Sequence, residues 1–450
     1  MIFGNDDILF SIKHKHIMSF KVRCTTDNIP DDVSEISIEF VDISELNIPD
    51  TITSVVLGSC NHALDKSSFP IFLKKLTIDC DYQHGFDSNS FPDGLESLVF
   101  KLACNCEITE NVLPESLIEL IFESSYVHRI NKSILPANLK ILYLPGNYNH
   151  LINPDSLPEN LQELHMGEKY SHEIHRDIFP AYLKKLYLPN EYNQLLTADT
   201  IPEFLEILII GVKYFHEFRS SIFPNSLIEL TVSELFVYDN NIIPPNLERL
   251  IVRNELFVIN NVTNIFPDTL KELYMGGGWE DGYANTSLPP NLEIFIVKLG
   301  DFGYDLGIPD VLPKSLRVLH VGHEYNRPIE TEYLPDSLEY LALGHDFSSR
   351  IYTESIPSAL KYIEIYDFDQ TVIFNRIDEF LSISIVYDHN IYSEAKLEYP
   401  ILHLASATRP ETFEITGTEY INDKKYYRII NPATIRHVSR AKSAMNARDY

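Results

Sequence analysis

The chain has few cysteines and no long hydrophobic run, and each absence excludes a class of protein. Its 5 cysteines are an odd, sparse set for 450 residues, which predicts reduced thiols rather than a disulfide framework. No segment approaches the roughly 18 apolar residues that a membrane helix needs. Asp6 and Asp7 occupy the place where a signal peptide carries basic residues. We therefore expect a cytoplasmic protein that is not secreted.

Positive charge is also scarce. The 36 Lys and Arg residues are outnumbered by 65 Asp and Glu residues, which gives a formal net charge of −29. A field of this sign repels phosphate backbones, so we do not expect the body of the protein to bind nucleic acid. Apolar residues make up 44% of the chain, which is enough for a substantial core and argues against general disorder.

Proline recurs at a nearly constant interval through most of the chain. A fixed period of about 22 residues is the sequence signature of a solenoid, in which similar coils stack on one another. The recurring prolines are Pro30, Pro49, Pro70, Pro92, Pro114, Pro136, Pro158, Pro180, Pro202, Pro224, Pro244, Pro267, Pro289, Pro313, Pro335 and Pro357. In each unit we number this proline as position 0 and count the other positions from it.

The residues around each proline repeat as well. Position −1 is always Ile, Leu or Phe, and positions 3, 6 and 8 are always apolar. Proline suits a corner because its φ is fixed, and the Leu-x-x-Leu-x-Leu pattern that follows predicts a short strand with one buried face. Stacking the units about 4.8 Å apart buries the leucines and pairs the strands in parallel. The sequence therefore predicts a mostly β, leucine-rich-repeat-like, right-handed solenoid of about 16 coils with a continuous parallel sheet.

An aromatic residue at position 12 marks the return side of most units, where we expect turns and short 3₁₀ pieces. It also explains the stretch MGGGWEDG at residues 275–282, because Trp279 falls at position 12 of its unit. A phosphate-binding loop would need a following helix and a nearby lysine. The next lysine is Lys298, and Glu280 and Asp281 would repel an anion. The glycine-rich stretch is therefore interpreted as part of the repeat.

The repeat resembles the FNIP repeat family, whose pattern is G-x-x-F-N-x-P-I followed by L-P-x-S-L-x-x-L-x-L-G. The clearest matches are VGHEYNRPI at residues 321–329 and LPDSLEYLALG at residues 334–344. Tyrosine replaces the phenylalanine in most units. The resemblance covers residues 29–369 and implies a leucine-rich-repeat-like array of the kind found in social amoebae and in giant DNA viruses that infect amoebae.

The resemblance also implies a function. It favours a non-catalytic scaffold for protein–protein interaction, encoded by a virus and acting in the cytoplasm of an amoebal host. Many family members carry an N-terminal F-box, which implies the alternative of a substrate adaptor for a ubiquitin ligase. Residues 5–10 resemble only the start of an F-box helix, and 28 residues precede the first unit. A structural component of the virus particle is a third interpretation.

One row of side chains is a candidate protein-binding face. Positions 4, 5, 7 and 9 should point outward from the sheet; position 7 is rich in apolar and aromatic residues, and position 4 is rich in charged ones. An aromatic strip with a charged rim is typical of an interface. The alternative is that these side chains form stabilising ladders across neighbouring strands. The candidate residues are Ile121, Tyr143, His165, Tyr187, Ile209, Tyr274 and His320.

No grouping of residues indicates catalysis or metal binding. Cys104 and Cys106 are too close together for a paired zinc ligand set, and no second pair follows. Histidines such as His150, His172 and His216 fall where the repeat tolerates any polar residue. We therefore expect no enzyme activity, no cofactor and no metal.

The two ends differ from the repeat. We expect residues 1–28 to cap the first coil, residues 29–369 to form the solenoid and residues 370–411 to cap its end. Residues 412–450 should form a hairpin, over 413–430, and a tail. Residues 423–450 contain seven Lys and Arg residues and two Asp residues, so this basic segment could fold back on the acidic body or bind an acidic partner or nucleic acid.

Overall fold

The chain folds into two compact units, an N-terminal unit of Asp6–Ser233 and a C-terminal unit of Glu234–Tyr450 with Met1–Asn5. The computed structural model describes residues 19–23, 29–30, 32–40, 42–59, 62–102, 106–131, 133–175, 177–219, 221–237, 242–253, 257–259, 265–277, 287–298, 311–329, 333–344, 346–347, 349, 355–366, 382–387, 418–421 and 424–428.

The N-terminal unit is a parallel solenoid, as the repeat predicts. Each strand pairs in parallel with the next along the chain, and equivalent leucines lie opposite one another, as Leu120, Leu142 and Leu164 do. Strand β1 lies within the segment that was predicted to cap the first coil, and it pairs in parallel with β2. The strands are β1 (Ser19–Val22), β2 (Glu35–Ile38), β3 (Ser54–Leu57), β4 (Lys75–Ile78), β5 (Ser97–Phe100), β6 (Glu119–Phe122), β7 (Ile141–Tyr143), β8 (Glu163–His165), β9 (Lys185–Tyr187), β10 (Ile207–Ile209) and β11 (Glu229–Val232).

The C-terminal unit has the same parallel architecture. Its strands are β12 (Leu235–Val237), β13 (Arg249–Val252), β14 (Phe257–Ile259), β15 (Glu272–Met275), β16 (Ile294–Val297), β17 (Val318–Val321), β18 (Tyr340–Leu343), β19 (Tyr362–Tyr366), β20 (Ser382–Tyr387), β21 (Thr418–Ile421) and β22 (Lys424–Arg428). Strands β13 and β15–β20 form the parallel sheet, and β12 and β14 form a separate two-stranded one. Within the segment predicted as a hairpin, β21 pairs antiparallel with β22, which also pairs antiparallel with β20.

Helices are few and short among the described residues. They are the 3₁₀ helices Ile43–Glu45, Lys66–Ser68 and Ala198–Thr200. The first two begin at an aspartate whose carboxylate accepts a hydrogen bond from the backbone, at 2.8 Å in both cases. No helix of the described part of the chain is long and apolar enough to cross a membrane.

Each repeating proline opens a tight turn into the strand. The amide N–H at position 3 donates to the proline carbonyl, for example from Leu139 to Pro136 at 3.1 Å and from Leu161 to Pro158 at 3.1 Å. The same bond follows all sixteen prolines. Proline favours this corner because its φ is already fixed and it has no N–H to leave unsatisfied.

The polar residue at position 2 bonds the turn to the preceding coil. The side chain of Ser116 donates to the carbonyl of Leu95 at 2.6 Å, and that of Asn138 donates to the carbonyl of Glu115 at 2.9 Å. Asn160 and Ser226 make equivalent bonds. This explains in physical terms why the repeat reads Leu-Pro-x-Ser or Leu-Pro-x-Asn: the side chain satisfies backbone oxygens that stacking would otherwise leave without a donor.

Position 9 faces inward in several coils, which corrects the expectation that it points outward. Pro145, Gly167, Pro189 and Gly211 are all buried and alternate along neighbouring coils. A β-carbon at Gly211 would overlap the backbone of Pro189, so only glycine fits there. Gly276 is buried in the equivalent place and donates to the carbonyl of Val252 at 2.7 Å. The predicted position of Trp279 lies outside the described residues.

The core is built from positions 3, 6, 8 and 12. Leu139, Leu142 and Leu144 show the pattern on the strand side, with 0%, 0% and 5% of their surface exposed. On the return side, the position-12 aromatics are buried as expected. They are Tyr82, Tyr126, Tyr148, Tyr170, Tyr192, Tyr214, Tyr325 and Phe347.

Several of these tyrosine hydroxyls connect neighbouring coils, namely those of Tyr82, Tyr126, Tyr148 and Tyr214. The hydroxyl of Tyr148 accepts from the amide of Ile130 at 3.2 Å, and that of Tyr214 accepts from Leu196 at 3.2 Å. Burial raises the pKa of both hydroxyls, and the amide contacts lower it by less. A buried amide without an acceptor is costly, so a tyrosine does here what a phenylalanine cannot.

The cysteines differ in part from the sequence-based expectation. Cys80 is disulfide-bonded, so the expectation of reduced thiols is wrong for this residue. Cys106 is a free thiol whose sulfur accepts from the amide of Gly85 at 3.1 Å. Cys24, Cys60 and Cys104 lie outside the described residues.

Candidate protein-binding face

Five of the seven candidate residues form one continuous row in the N-terminal unit, which we call the aromatic row. They occupy position 7 on the adjacent strands β6–β10, and each lies directly opposite the next in the strand register. All five side chains are half-buried. The residues of the aromatic row are Ile121, Tyr143, His165, Tyr187 and Ile209.

The other two candidates are not on the surface. Tyr274 is 6% exposed and His320 is 5% exposed. Tyr274 packs in a small apolar cluster with Ile251 and Ile296, because these two isoleucines lie directly opposite it on the two neighbouring strands. Burial removes Tyr274 and His320 from the candidate face, which is a correction to the sequence-based expectation.

Burial also determines the protonation of His320. Its side chain accepts a hydrogen bond at Nδ1 from the amide of Gly322, at 3.1 Å. Burial, with a smaller contribution from nearby His323, lowers the pKa of His320 to about 4. The imidazole is therefore neutral at physiological pH and acts as an interior polar group.

The rings of the aromatic row contact one another: His165 stacks on Tyr187, and Tyr143 meets His165 at an angle of 55°. The ring centroids of Tyr143 and His165 are 3.6 Å apart, and those of His165 and Tyr187 are 3.7 Å apart with an angle of 11° between the planes. Stacking across neighbouring strands stabilises a sheet. The geometry supports the ladder interpretation, and the half-exposed rings leave the binding interpretation equally available.

Glu163 organises the centre of the aromatic row, a role that the sequence analysis missed. Its Oε1 accepts from the hydroxyl of Tyr143 at 3.0 Å and from Nε2 of His165 at 2.8 Å, while Oε2 accepts from Nζ of Lys185 at 2.9 Å. Burial raises the pKa of Glu163, but these three donors outweigh it and the pKa lies below its usual 4.5. The sequence does contain a signal for this role. Glu163 is at position 5, so its side chain lies on the same face of the strand as that of His165 two residues later.

The titration behaviour of the aromatic row follows from this packing. Burial lowers the pKa of His165, although Glu163 opposes the shift. Burial and the charges of Glu163 and Glu229 raise the pKa of Tyr187 to about 12, and the pKa of Tyr143 also rises, through burial and Glu163. At neutral pH the imidazole is uncharged and both hydroxyls are protonated. The ring of His165 must carry its proton on Nε2, because an ionised carboxylate can only accept.

In the aromatic row, the hydroxyl of Tyr143 donates to Glu163 rather than to the imidazole of His165, so the imidazole does not activate this hydroxyl. Among the described residues, no group of three or more His, Cys, Asp or Glu side chains is placed to hold a metal ion.

The charged rim at position 4 is largely paired between neighbouring coils. Lys184 contacts Glu206 at 2.7 Å, and Lys271 contacts Glu248 at 3.0 Å. Exposed pairs of this kind contribute about 1 kcal/mol or less each. Lys140 and Gln162 are exposed in the same row.

Two return-side positions have structural roles that the sequence analysis did not assign. His172 donates from Nε2 to the carbonyl of Asn149 at 2.9 Å and meets the ring of Tyr170 edge-on at 5.5 Å. His150 and His216 make equivalent contacts, and Ser349 at the same position donates to the carbonyl of Asn326 at 3.2 Å, so a polar side chain here bonds to the coil before it. The asparagine of the repeat also links coils, as when Oδ1 of Asn149 accepts from the amide of Ser171 at 3.1 Å.

Comparison with known proteins agrees with this geometry. The family described as "FNIP Repeat" matches residues 82–125, 126–169, 192–234 and 306–346. The crystal structure of CroV588, described as a novel circular LRR protein, has 23% sequence identity and a TM-score of 0.62 over 83% of this chain and 62% of that one. The TLR13–ssRNA13 complex has 14% identity and a TM-score of 0.47 over 81% and 62%.

The coverage and the sequence identity of these matches limit the conclusions that they support. The chain spans less than two thirds of either solved protein. The similarity to CroV588, at 23% identity, shows the fold alone. No curated protein matches the chain in sequence. Together, these findings show that the chain carries FNIP repeats at four places along its length and has a leucine-rich-repeat-like fold.

Proposed function

We propose that this protein is a non-catalytic scaffold that binds a partner protein through the aromatic row. One observation carries the proposal: five apolar and aromatic side chains stand next to one another on adjacent strands and keep part of their surface in solvent. Interface cores favour such residues, and tyrosine in particular. Stacking has already restricted the rings, so a partner loses less side-chain entropy when it binds them.

The finer description of the scaffold is also a proposal. We infer about sixteen coils from the sixteen proline turns. The viral origin and the amoebal host cytoplasm are supported by the family resemblance alone. The F-box-like residues 5–10 lie outside the described part of the chain, so the ubiquitin-ligase adaptor stays a prediction, as does the virion component.

The proposal is tested by replacing Tyr143, His165 and Tyr187 together with serine. A tagged full chain and this variant are used to capture proteins from amoebal lysate, and the partner found with the wild type is then purified and titrated directly. We expect the triple variant to lose at least tenfold in affinity, since central interface residues often cost more than 1 kcal/mol each.

A matched control shows whether the effect is local. Val127→Ser and Phe215→Ser remove apolar groups that are 51% and 56% exposed elsewhere in the same unit, and this variant should bind the partner normally. Circular dichroism checks that all variants are folded. Unchanged binding by the folded triple variant would show that the aromatic row is a stabilising ladder only.

A further inference from the structure

Two adjacent coils of the N-terminal unit depart from the repeat at position 2. Ten of the sixteen coils carry Ser, Thr or Asn at this position, whereas these two neighbours carry Tyr182 and Phe204. The two side chains are 68% and 52% exposed. Their ring centroids are 5.9 Å apart and their planes differ by 20°, so they stack outside the core. Adjacent exposed rings of this size are unusual on a soluble protein that uses neither for packing.

The departure gives up a bond that stabilises the fold. In the next coil, the hydroxyl of Ser226 donates to the carbonyls of Glu203 and Leu205, at 2.8 and 2.7 Å. Phe204 has no donor with which to make the equivalent bonds. Two successive coils thus exchange an inter-coil hydrogen bond for an exposed aromatic ring, which fold stability does not explain.

The same corner is strongly acidic. Residues 155–160, 177–182 and 199–204 run from position −3 to position 2 in three successive coils, and they contain five carboxylates and no Lys or Arg; Arg176 directly precedes the second segment. The carboxylates are all exposed: Asp155, Glu159, Asp177, Asp199 and Glu203. The backbone of Asp155 and Asp177 has positive φ, at 62° and 67°, which favours Asn or Asp there. The positive φ explains why these two positions carry a short polar side chain, which asparagine could also supply. It does not explain why both residues are negatively charged.

We propose that Tyr182, Phe204 and these five carboxylates, which we call the acidic corner, bind an arginine-bearing segment of a partner protein. A guanidinium group stacks on aromatic faces and bonds to carboxylates with two parallel donors. A lysine ammonium is more strongly hydrated and lacks the planar fork, so it fits less well. The negative field attracts a basic segment and repels nucleic acid and anionic lipid. This surface is separate from the aromatic row, so the inference goes beyond the proposed function.

The test uses the full chain and two fluorescein-labelled peptides, one of four Arg-Gly repeats and one of four Lys-Gly repeats. Fluorescence anisotropy at about 0.15 M salt gives their dissociation constants. We expect the arginine peptide to bind severalfold more tightly than the lysine peptide. In the double variant Tyr182→Asn, Phe204→Ser the arginine peptide should bind roughly fivefold more weakly.

The double variant introduces residues that other coils carry at the same position, so it should fold at least as well as the wild type. The matched control is Phe72→Ser, which removes a 61% exposed ring at position 2 of another coil and should leave binding unchanged. Replacing Tyr143, His165 and Tyr187 should also leave peptide binding unchanged, which separates this inference from the proposed function. Equal affinity for both peptides, or equal binding by the double variant and the wild type, would overturn the inference and leave only general charge attraction.

Discussion

Replacing Tyr148 with phenylalanine removes one hydroxyl group from the return side of the core. Tyr148 is 1% exposed, and its hydroxyl accepts a hydrogen bond from the amide of Ile130, which is itself 5% exposed. Without the hydroxyl, a buried N–H loses its acceptor. Such a loss costs about 1–3 kcal/mol, although the ring, its stacking surface and the volume of the core stay almost unchanged.

Two measurements check this expectation. Urea unfolding should give a lower midpoint for the variant, and the amide of Ile130 should exchange roughly tenfold faster for each 1.4 kcal/mol lost. Tyr182→Phe is the matched control, because it removes the hydroxyl of a tyrosine that is 68% exposed, and it should change stability by about 0.5 kcal/mol at most. The repeat family has phenylalanine at position 12, and this argues for the opposite result, in which Tyr148→Phe leaves stability unchanged. If Tyr148→Phe is as stable as the wild type, the inter-coil role assigned to the hydroxyl is wrong.

Two further predictions concern the strand side. Glu163→Gln should destabilise the protein by about 1–3 kcal/mol at pH 7, because three donors converge on a mostly buried carboxylate. The folded pKa of Glu163 lies below 4.5, so the carboxylate contributes its stability above pH 4.5 and loses it as the pH falls through the folded pKa. The difference in melting temperature between the variant and the wild type should therefore shrink as the pH is lowered from about 7 into the acid range, and a constant difference would contradict the reasoning. Gly211→Ala should destabilise by at least about 1–3 kcal/mol, because the added β-carbon overlaps the backbone of Pro189; a melting temperature equal to the wild type would show that this backbone can move apart.

The sequence predicts the framework well because the framework is periodic. A leucine at position 6 has another leucine opposite it on both neighbouring strands, so its burial follows from the repeat itself. The tyrosines at position 12 are buried for the same reason. Fold class, strand direction and the inward faces could all be inferred from spacing and hydrophobicity.

The candidate site could be predicted only in part, because it depends on how units differ. Tyr187 and Tyr274 occupy the same position in the repeat, yet one is half-buried and the other is in the interior. The difference comes from the neighbours on the adjacent strands, which are His165 and Ile209 for the first and Ile251 and Ile296 for the second. Periodicity describes an average coil and contains no information on the local packing of particular side chains.

The bonds between coils have a consequence for how such a chain can change in length. A serine or asparagine at position 2 bonds to position 1 or 3 of the coil before it, and an asparagine at position 13 bonds to the same position of the coil after it. If one whole unit is removed or duplicated, each donor again lies opposite an equivalent acceptor in the neighbouring coil. If a single residue is inserted, the donors and acceptors of that coil are shifted out of register. Gene duplication can therefore lengthen the array in whole units without redesigning any contact. Natural selection can then alter the surface of one coil, as at Tyr182, while its neighbours keep the fold.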